Sequence, residues 1–292
     1  MLLYAKIKRT LGKERIIYYF IPAMIILGTL AVYPLVNNVW LSLHTKAGKW
    51  SLGNFARLFG DKWFWNSMLT TGKWMVLTVA GELLVGLLLA NLINLRLRGT
   101  KMFRTLLMIP WMTPMIAVCT VWAWMYNGDF GILNHGINQL FGSDILFLSN
   151  PATAVIWLSL VYIWKRSSFV MLMYLSGLQG ISMDIYEACK IDGAPWYTQL
   201  FKVTLPLMFP VIRSVLLISI ITAMNQFTIA YSITKGGPSR STELMQMYIF
   251  NTGIAGFQYN YGAAASMVFL IVVLTLAVGY IFATEKAEED MF

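Results

Sequence analysis

Glu82, Lys165 and Arg166 are the residues whose chemistry is least expected in this sequence, because each falls near the middle of an apolar run. A charge near a bilayer centre costs at least ~2.5–3.5 kcal/mol on insertion scales, so such groups are usually paired or used. Two uses are open. Glu82 can form an intramembrane ion pair, with Lys165 or with Arg166, that locks helices together. Alternatively Arg166, with Tyr162 and Phe169 nearby on the same helix, lines a path for solute. A guanidinium there would accept carboxylate, sulfate or phosphate bidentately. Asn225 and Gln226 pose the same choice. Their mixed donor and acceptor character suits sugar hydroxyls, but an interhelical hydrogen bond worth ~0.6–2 kcal/mol is equally open. Trp122 and Trp124 can stack on a sugar face, although interface anchoring is the commoner role of membrane tryptophan.

The second informative stretch is polar, at residues 182–206. Residues 184–191 read as a short helix, with Asp184 and Glu187 early, where the helix dipole favours acids. Gly193 is a natural C-terminal stop, and Pro195 fits a first helical turn. Trp196, Leu200 and Val203 then share one helical face. The expectation is two short helices joined by a tight turn and presenting apolar groups at a surface.

The elements that position these residues are long apolar helices. Of 292 residues, 58% are hydrophobic and only 12% charged, about half the charge of an ordinary globular domain. That composition excludes disorder and disulfide scaffolds. Six runs of about the ~20 residues a spanning helix needs fall at 16–43, 68–92, 105–126, 153–174, 208–232 and 261–283. The first contains Pro22 and Pro34 and is expected to kink or to span only in part. The fold class is therefore all-α integral membrane with about six transmembrane helices, in one domain over 16–283. Short cytoplasmic tails at 1–15 and 284–292 flank it.

Orientation follows the Lys/Arg bias of the loops. Twelve basic residues fall on one side: Lys6, Lys8, Arg9, Lys13, Arg15, Arg96, Arg98, Lys101, Arg104, Lys190, Lys202 and Lys286. Six fall on the other: Lys46, Lys49, Arg57, Lys62, Lys235 and Arg240. Both termini and the 182–206 loop are thus expected to be cytoplasmic. The net charge of +9 then reflects topology, and no nucleic-acid partner is implied.

Enzyme chemistry finds little support. There are two histidines, His44 and His135, both in expected external loops, and no His-Glu-x-x-His run, so no metal site is expected. Neither a Walker loop nor a Gly-x-Ser-x-Gly elbow occurs. Cys119 lies in an apolar run and Cys189 in the polar loop, which suits neither a disulfide nor a metal pair.

The polar loop resembles the cytoplasmic "EAA" signature of ABC importer permeases. Glu187-Ala188-Cys189 is followed after three residues by Gly193, and after nine more by Val203-Thr204-Leu205-Pro206. Cys189 and Val203 depart from the usual Ala and Ile but keep size or apolarity. Thr234-Lys235-Gly236-Gly237-Pro238 with Ser241-Thr242-Glu243 is similar to the external loop of sugar-type, maltose-like permeases. Phe103-Arg104, Ile109-Pro110-Trp111, Leu178-Gln179-Gly180-Ile181 and Tyr261-Gly262-Ala263-Ala264-Ala265 extend the likeness from about 16 to 283.

The resemblance implies a type I ABC importer permease fold in a bacterial or archaeal cytoplasmic membrane. It implies a coupling loop in which Glu187, Ala188, Asp192, Gly193, Leu205 and Pro206 seat an ATPase. The implied partners are a second homologous permease, two ATPase subunits and an extracytoplasmic solute-binding protein. A sugar, oligosaccharide or anionic sugar derivative is the implied solute, with membrane lipid around the chain. No cofactor is expected in this chain; ATP and Mg would be bound by the ATPases. Tyr162, Arg166, Phe169, Asn225 and Gln226 match spans that carry sugar contacts in the family. The competing function is a self-sufficient secondary transporter, with Glu82 and Lys165 as a proton relay. That class tends to show internal repeats and more spans.

Overall fold

The computed structural model describes residues 13–95, 99–142 and 146–289. The basic residues Lys6, Lys8, Arg9, Arg96 and Arg98 lie outside the described residues, as do most of the expected N-terminal tail and the last three residues of the C-terminal one.

In chain order the helices are α1 (Tyr18–Ser42), α2 (Gly53–Phe59), α3 (Lys62–Asn94), α4 (Thr100–Met112) and α5 (Met115–Met125). They continue with α6 (Ile132–Phe141), α7 (Ala154–Gly180), α8 (Met183–Ile191) and α9 (Trp196–Leu207). The last are α10 (Phe209–Met224), α11 (Met245–Ile249) and α12 (Tyr259–Glu289). Among the described residues four helices are long and apolar enough to cross a membrane, and up to six if α4–α5 and α9–α10, bent by 92° and 71°, each count as one span. Pairing among the described residues is limited to one β-bridge, His44 to Trp50.

Two expected spans are interrupted. The 105–126 run breaks at Thr113-Pro114. Pro114 has no N–H for a further helical bond, and Thr113 before it is extended (φ −69°, ψ 134°). The 208–232 run ends its helix at Met224. There the Asn225 amide donates to Ile221 O (2.9 Å), while Gln226 Oε1 accepts from the backbone N–H of Phe227 and Thr228 (both 3.0 Å). Side chains that bond the local backbone compete with the helical ladder. α1, by contrast, passes its prolines. One π-helical turn at Gly28–Val32 lets the Tyr33 N–H reach Gly28 O just before Pro34.

The chain forms two compact units, Met1–Gly60 with Asn251–Val268, and Asp61–Phe250 with Phe269–Phe292. In the first, the large apolar side chains of α1 are mostly exposed, a surface suited to lipid. Its 44–54 loop is tied down by side-chain amides. Asn54 Nδ2 donates to Ser42 O and His44 O, and Asn260 Nδ2 to Leu41 O and His44 O, all at 2.9–3.1 Å.

In the second unit α3 and α7 form the central pair. Gly86 lets them approach: a Cβ there would sit 2.5 Å from Val170 Cγ1 and 3.2 Å from the Met171 backbone N. Without a hydrophobic force between helices in lipid, such close packing is what holds a pair together. Two apolar clusters lie along it. One contains Trp74, Val79, Leu158 and Tyr162; the other contains Ala90, Val170, Met171 and Leu175. Glu82, Lys165 and Arg166 fall between the two, so a charged layer separates the apolar clusters.

Candidate functional site

The polar layer begins with Glu82, which is fully buried. Its Oε2 accepts from Arg166 Nε at 3.3 Å. Arg166 Nη2 also donates to Thr222 Oγ1 of α10 (3.4 Å), and its guanidinium lies 4.6 Å over the Phe169 ring. Phe169 in turn meets Trp111 of α4, with ring centroids 5.7 Å apart. Ser219, also buried, turns its hydroxyl to the same carboxylate.

Lys165 is not the partner of Glu82. Its ammonium donates to Pro110 O (3.1 Å), Trp111 O (3.0 Å) and Thr113 O (2.6 Å). The last carbonyls of a helix have no internal donor, and Pro114 could not serve Pro110 O even if the helix ran on. Three ammonium protons meet three such carbonyls, at the helix end where the dipole favours a cation. Of the two pairings open to Glu82, the structure holds Glu82–Arg166 and not Glu82–Lys165. One residue along a helix turns a side chain through about 100°, and packing points Lys165 at the α4 end and Arg166 at α3. The relay from Glu82 to Lys165 required by a proton-coupled transporter has no continuity here.

The remaining candidates separate. Tyr162 packs its ring against Trp74 (5.4 Å), while its hydroxyl bonds Thr222, the residue that also accepts from Arg166. Gln226 is buried, with its oxygen committed to the backbone of 227 and 228. Asn225 is exposed, and its Oδ1 accepts from Gln246 Nε2 (2.9 Å). Tyr162, Arg166 and Phe169 are thus brought together around Glu82 and Thr222, whereas Gln226 is committed to the backbone beside it.

The 182–206 loop folds as two short helices. Ser182 caps α8, its hydroxyl accepting from Asp184 N (3.3 Å). Gly193 adopts φ +67°, and the Ala194 N–H closes onto Cys189 O (2.9 Å) in a Schellman-type stop. Pro195 then precedes Trp196–Gln199, and Gln199 Nε2 donates back to Ala194 O (2.8 Å). Tyr186 and Thr204 hydroxyls meet at 3.1 Å and tie α8 to α9; nothing in the local pattern points to that contact.

Glu187, Ala188, Asp192 and Gly193 are exposed, and Leu205 and Pro206 half-buried. Ile191 and Trp196 stand out at 87% and 74% exposure. A cavity of about 750 Å³ lies under the loop, lined by Leu88, Asn91, Leu178, Tyr186, Lys190 and Trp196 among others.

The Gly-Gly-Pro stretch proves to be a fastening. Thr242 Oγ1 meets Thr234 Oγ1 and Gly237 O, both at 2.7 Å. Buried Glu243 accepts from Arg240 Nε (2.5 Å) and Ser67 Oγ (3.4 Å). Asn66 donates to Arg240 O (3.1 Å), and the Met245 N–H to Thr71 Oγ1 (2.8 Å). The motif clips the segment before α11 onto the start of α3.

Comparison with known proteins gives a consistent result. The family of binding-protein-dependent transport system inner membrane components matches residues 82–284. The sulfoquinovosyl glycerol transport system permease protein SmoG of Agrobacterium fabrum is 34% identical, covering 89% of this chain and 87% of that protein. The trehalose/maltose transport system permease protein MalF of Thermococcus litoralis is 31% identical, covering 89% and 90%. The lactose transport system permease protein LacF of Rhizobium radiobacter is 30% identical, covering 88% and 89%. Among solved structures, a chain of a bacterial ABC transporter involved in import of the acidic polysaccharide alginate superposes with a TM-score of 0.86. It covers 98% of this chain and 99% of its own at 20% identity, a likeness of fold.

Proposed function

This chain belongs to the family of binding-protein-dependent transport system inner membrane components, and we propose that it guides a sugar-class solute through an ABC importer whose ATPases are separate chains. It is a membrane permease subunit and not the hydrolase. In this proposal a second, similar permease completes the pathway and an extracytoplasmic protein delivers solute. ATP and Mg are bound by the two ATPases, one seated on each permease. Both termini face the cytoplasm.

The observation that carries the mechanism is the 182–206 loop. A glycine-terminated helix, a proline-started second helix and exposed Ile191 and Trp196 form a knob with apolar tips. Such a knob fits a cleft on a soluble subunit. The Tyr186–Thr204 hydroxyl contact makes the two helices move together. Glu187, Ala188, Asp192 and Gly193 shape the docking face, and Leu205 and Pro206 begin the return to α10. Nucleotide acts only through the differential contact that ATPase closure makes with this loop in its two states. Rotation passed on to α7 and α10 would reorganise the Glu82–Arg166 layer and alternate access to it.

A sugar-class solute is supported by the transport functions of the relatives and by the layer itself. Glu82 neutralises Arg166, and Ser219 and Thr222 bring hydroxyls to the same layer. That arrangement favours a neutral sugar over a recognised anion in the state described here.

The test is reconstitution of the permease with its neighbouring subunits in lipid. ATP hydrolysis stimulated by a sugar-loaded binding protein, together with sugar uptake, is the expected result. Uptake driven by a proton gradient without ATPase subunits would overturn the proposal.

A further inference from the structure

Two chain segments far apart in sequence, both on the side assigned as external, converge in the first unit. They enclose an open cavity of about 200 Å³ whose lining includes Lys46, Asn54, Arg57, Gln258, Asn260 and Tyr261. Arg57 is held, its guanidinium 4.4 Å over the Tyr261 ring. Asn54 and Asn260 fix the floor by donating to the carbonyls of 41, 42 and 44. Lys46 and Arg57 are exposed and form no ion pair among the described residues. No Asp or Glu occurs anywhere in residues 18–60 or 251–268, so nothing nearby in this unit balances them. Their place is also the opposite of what membrane orientation selects, since lysine and arginine are favoured on the cytoplasmic side.

We propose that this cavity receives a carboxylate side chain of the extracytoplasmic solute-binding protein and so fixes its register on the permease. The proposal rests on the importer reading and topology above. Size selects the occupant: sites for whole small molecules run to about 300–1,000 Å³, so this one suits a single acidic side chain better than an oligosaccharide. Charge selects it too. A guanidinium grips a carboxylate through two hydrogen bonds, and an ammonium adds a mobile second charge. Acid-free, exposed basic surface also attracts an acidic partner over a distance, which raises the association rate at low salt.

The experiment uses the assembled complex in lipid nanodiscs and a solute-binding protein chosen because it stimulates wild-type ATP hydrolysis. If no binding protein stimulates the wild type, the importer reading itself fails. Given stimulation, the Lys46→Gln/Arg57→Gln pair should raise the half-saturating binding-protein concentration by roughly tenfold or more. The rate at saturation should be kept, and the salt dependence of half-saturation flattened. Arg57→Lys should retain most of the affinity. Replacing the contacting acid of the binding protein by lysine should rescue a Lys46→Glu/Arg57→Glu permease. Unchanged half-saturation and salt dependence in the assembled Gln variant would overturn the proposal, as would a lower saturated rate at unchanged half-saturation, the signature of a structural role.

Discussion

Replacing Gly193 isolates the backbone requirement of the coupling loop from everything else in the protein. The residue sits at φ +67° and a Cβ added there meets nothing within 4 Å. Crowding therefore contributes nothing, and the whole effect is conformational. An ordinary L residue in the left-handed region costs roughly 1–2 kcal/mol, partly offset by about 0.4–1 kcal/mol from the reduced freedom of the relaxed chain. The net is about 1 kcal/mol, a factor of about five in an equilibrium. The turn holds φ +67° in the chain by itself, so a side chain at 193 depletes that turn in favour of relaxed loop conformations, and the loss appears in the affinity of the subunit that docks on it. Gly193→Ala should weaken retention of the ATPase about fivefold, following that same backbone penalty. Gly193→Val should weaken it more, and Gly193→Asn, which tolerates the left-handed region, least. The assay is re-binding of purified ATPase to the permease pair in lipid, with ATP hydrolysis stimulated by the binding protein as the second readout. Melting of the helical core should change little, because the exposed 193 turn can relax locally without disturbing the packing of α3 and α7. Equal loss in Ala, Asn and Val variants would refute the backbone argument and put the constraint in contact with the ATPase. Wild-type affinity and coupling in Gly193→Val would refute the role of the turn altogether.

Lys165→Met should leave the carbonyls of Pro110, Trp111 and Thr113 without their donor. At about 1–3 kcal/mol for a buried polar group left unsatisfied, the complex should melt earlier, with Lys165→Arg in between; unchanged melting would remove the clip. Glu82→Gln and Arg166→Gln alone should each destabilise the complex by up to about 3–5 kcal/mol, whereas Glu82→Leu with Arg166→Met should recover most of it. Additive losses in calorimetry would contradict the pairing. If instead Arg166 binds an anion, Arg166→Ala should leave the complex assembled and cut uptake of a charged sugar far more than of its neutral analogue. For topology, a chain with Cys119→Ala and Ser239→Cys should be labelled in intact cells by an impermeant thiol reagent at 239 and not at Cys189; the reverse pattern would invert the orientation.

What the sequence alone determined is what depends on local pattern. Long apolar runs must satisfy their backbone internally in lipid, so α1, α3, α7 and α12 were legible as helices. The turn between α8 and α9 was legible because left-handed backbone calls for glycine and Pro195 fits the start of the next helix.

Tertiary structure decided which proline breaks a helix and which charge meets which. Pro22 and Pro110 lie within helices, whereas Pro114 ends one. The difference is that Lys165, more than 50 residues away in sequence, receives the carbonyls released at Pro114. Glu82 could in principle meet either Lys165 or Arg166, and only the close approach of α3 and α7 at Gly86 sets the rotation that selects Arg166. For Asn225 and Gln226 the sequence leaves solute contact and a protein hydrogen bond equally open, and the end of α10 shows the Asn225 amide and the Gln226 oxygen bonded to the backbone beside them. Chemistry at a residue is local, but its partner is fixed by packing between helices, and that information is spread over the whole chain.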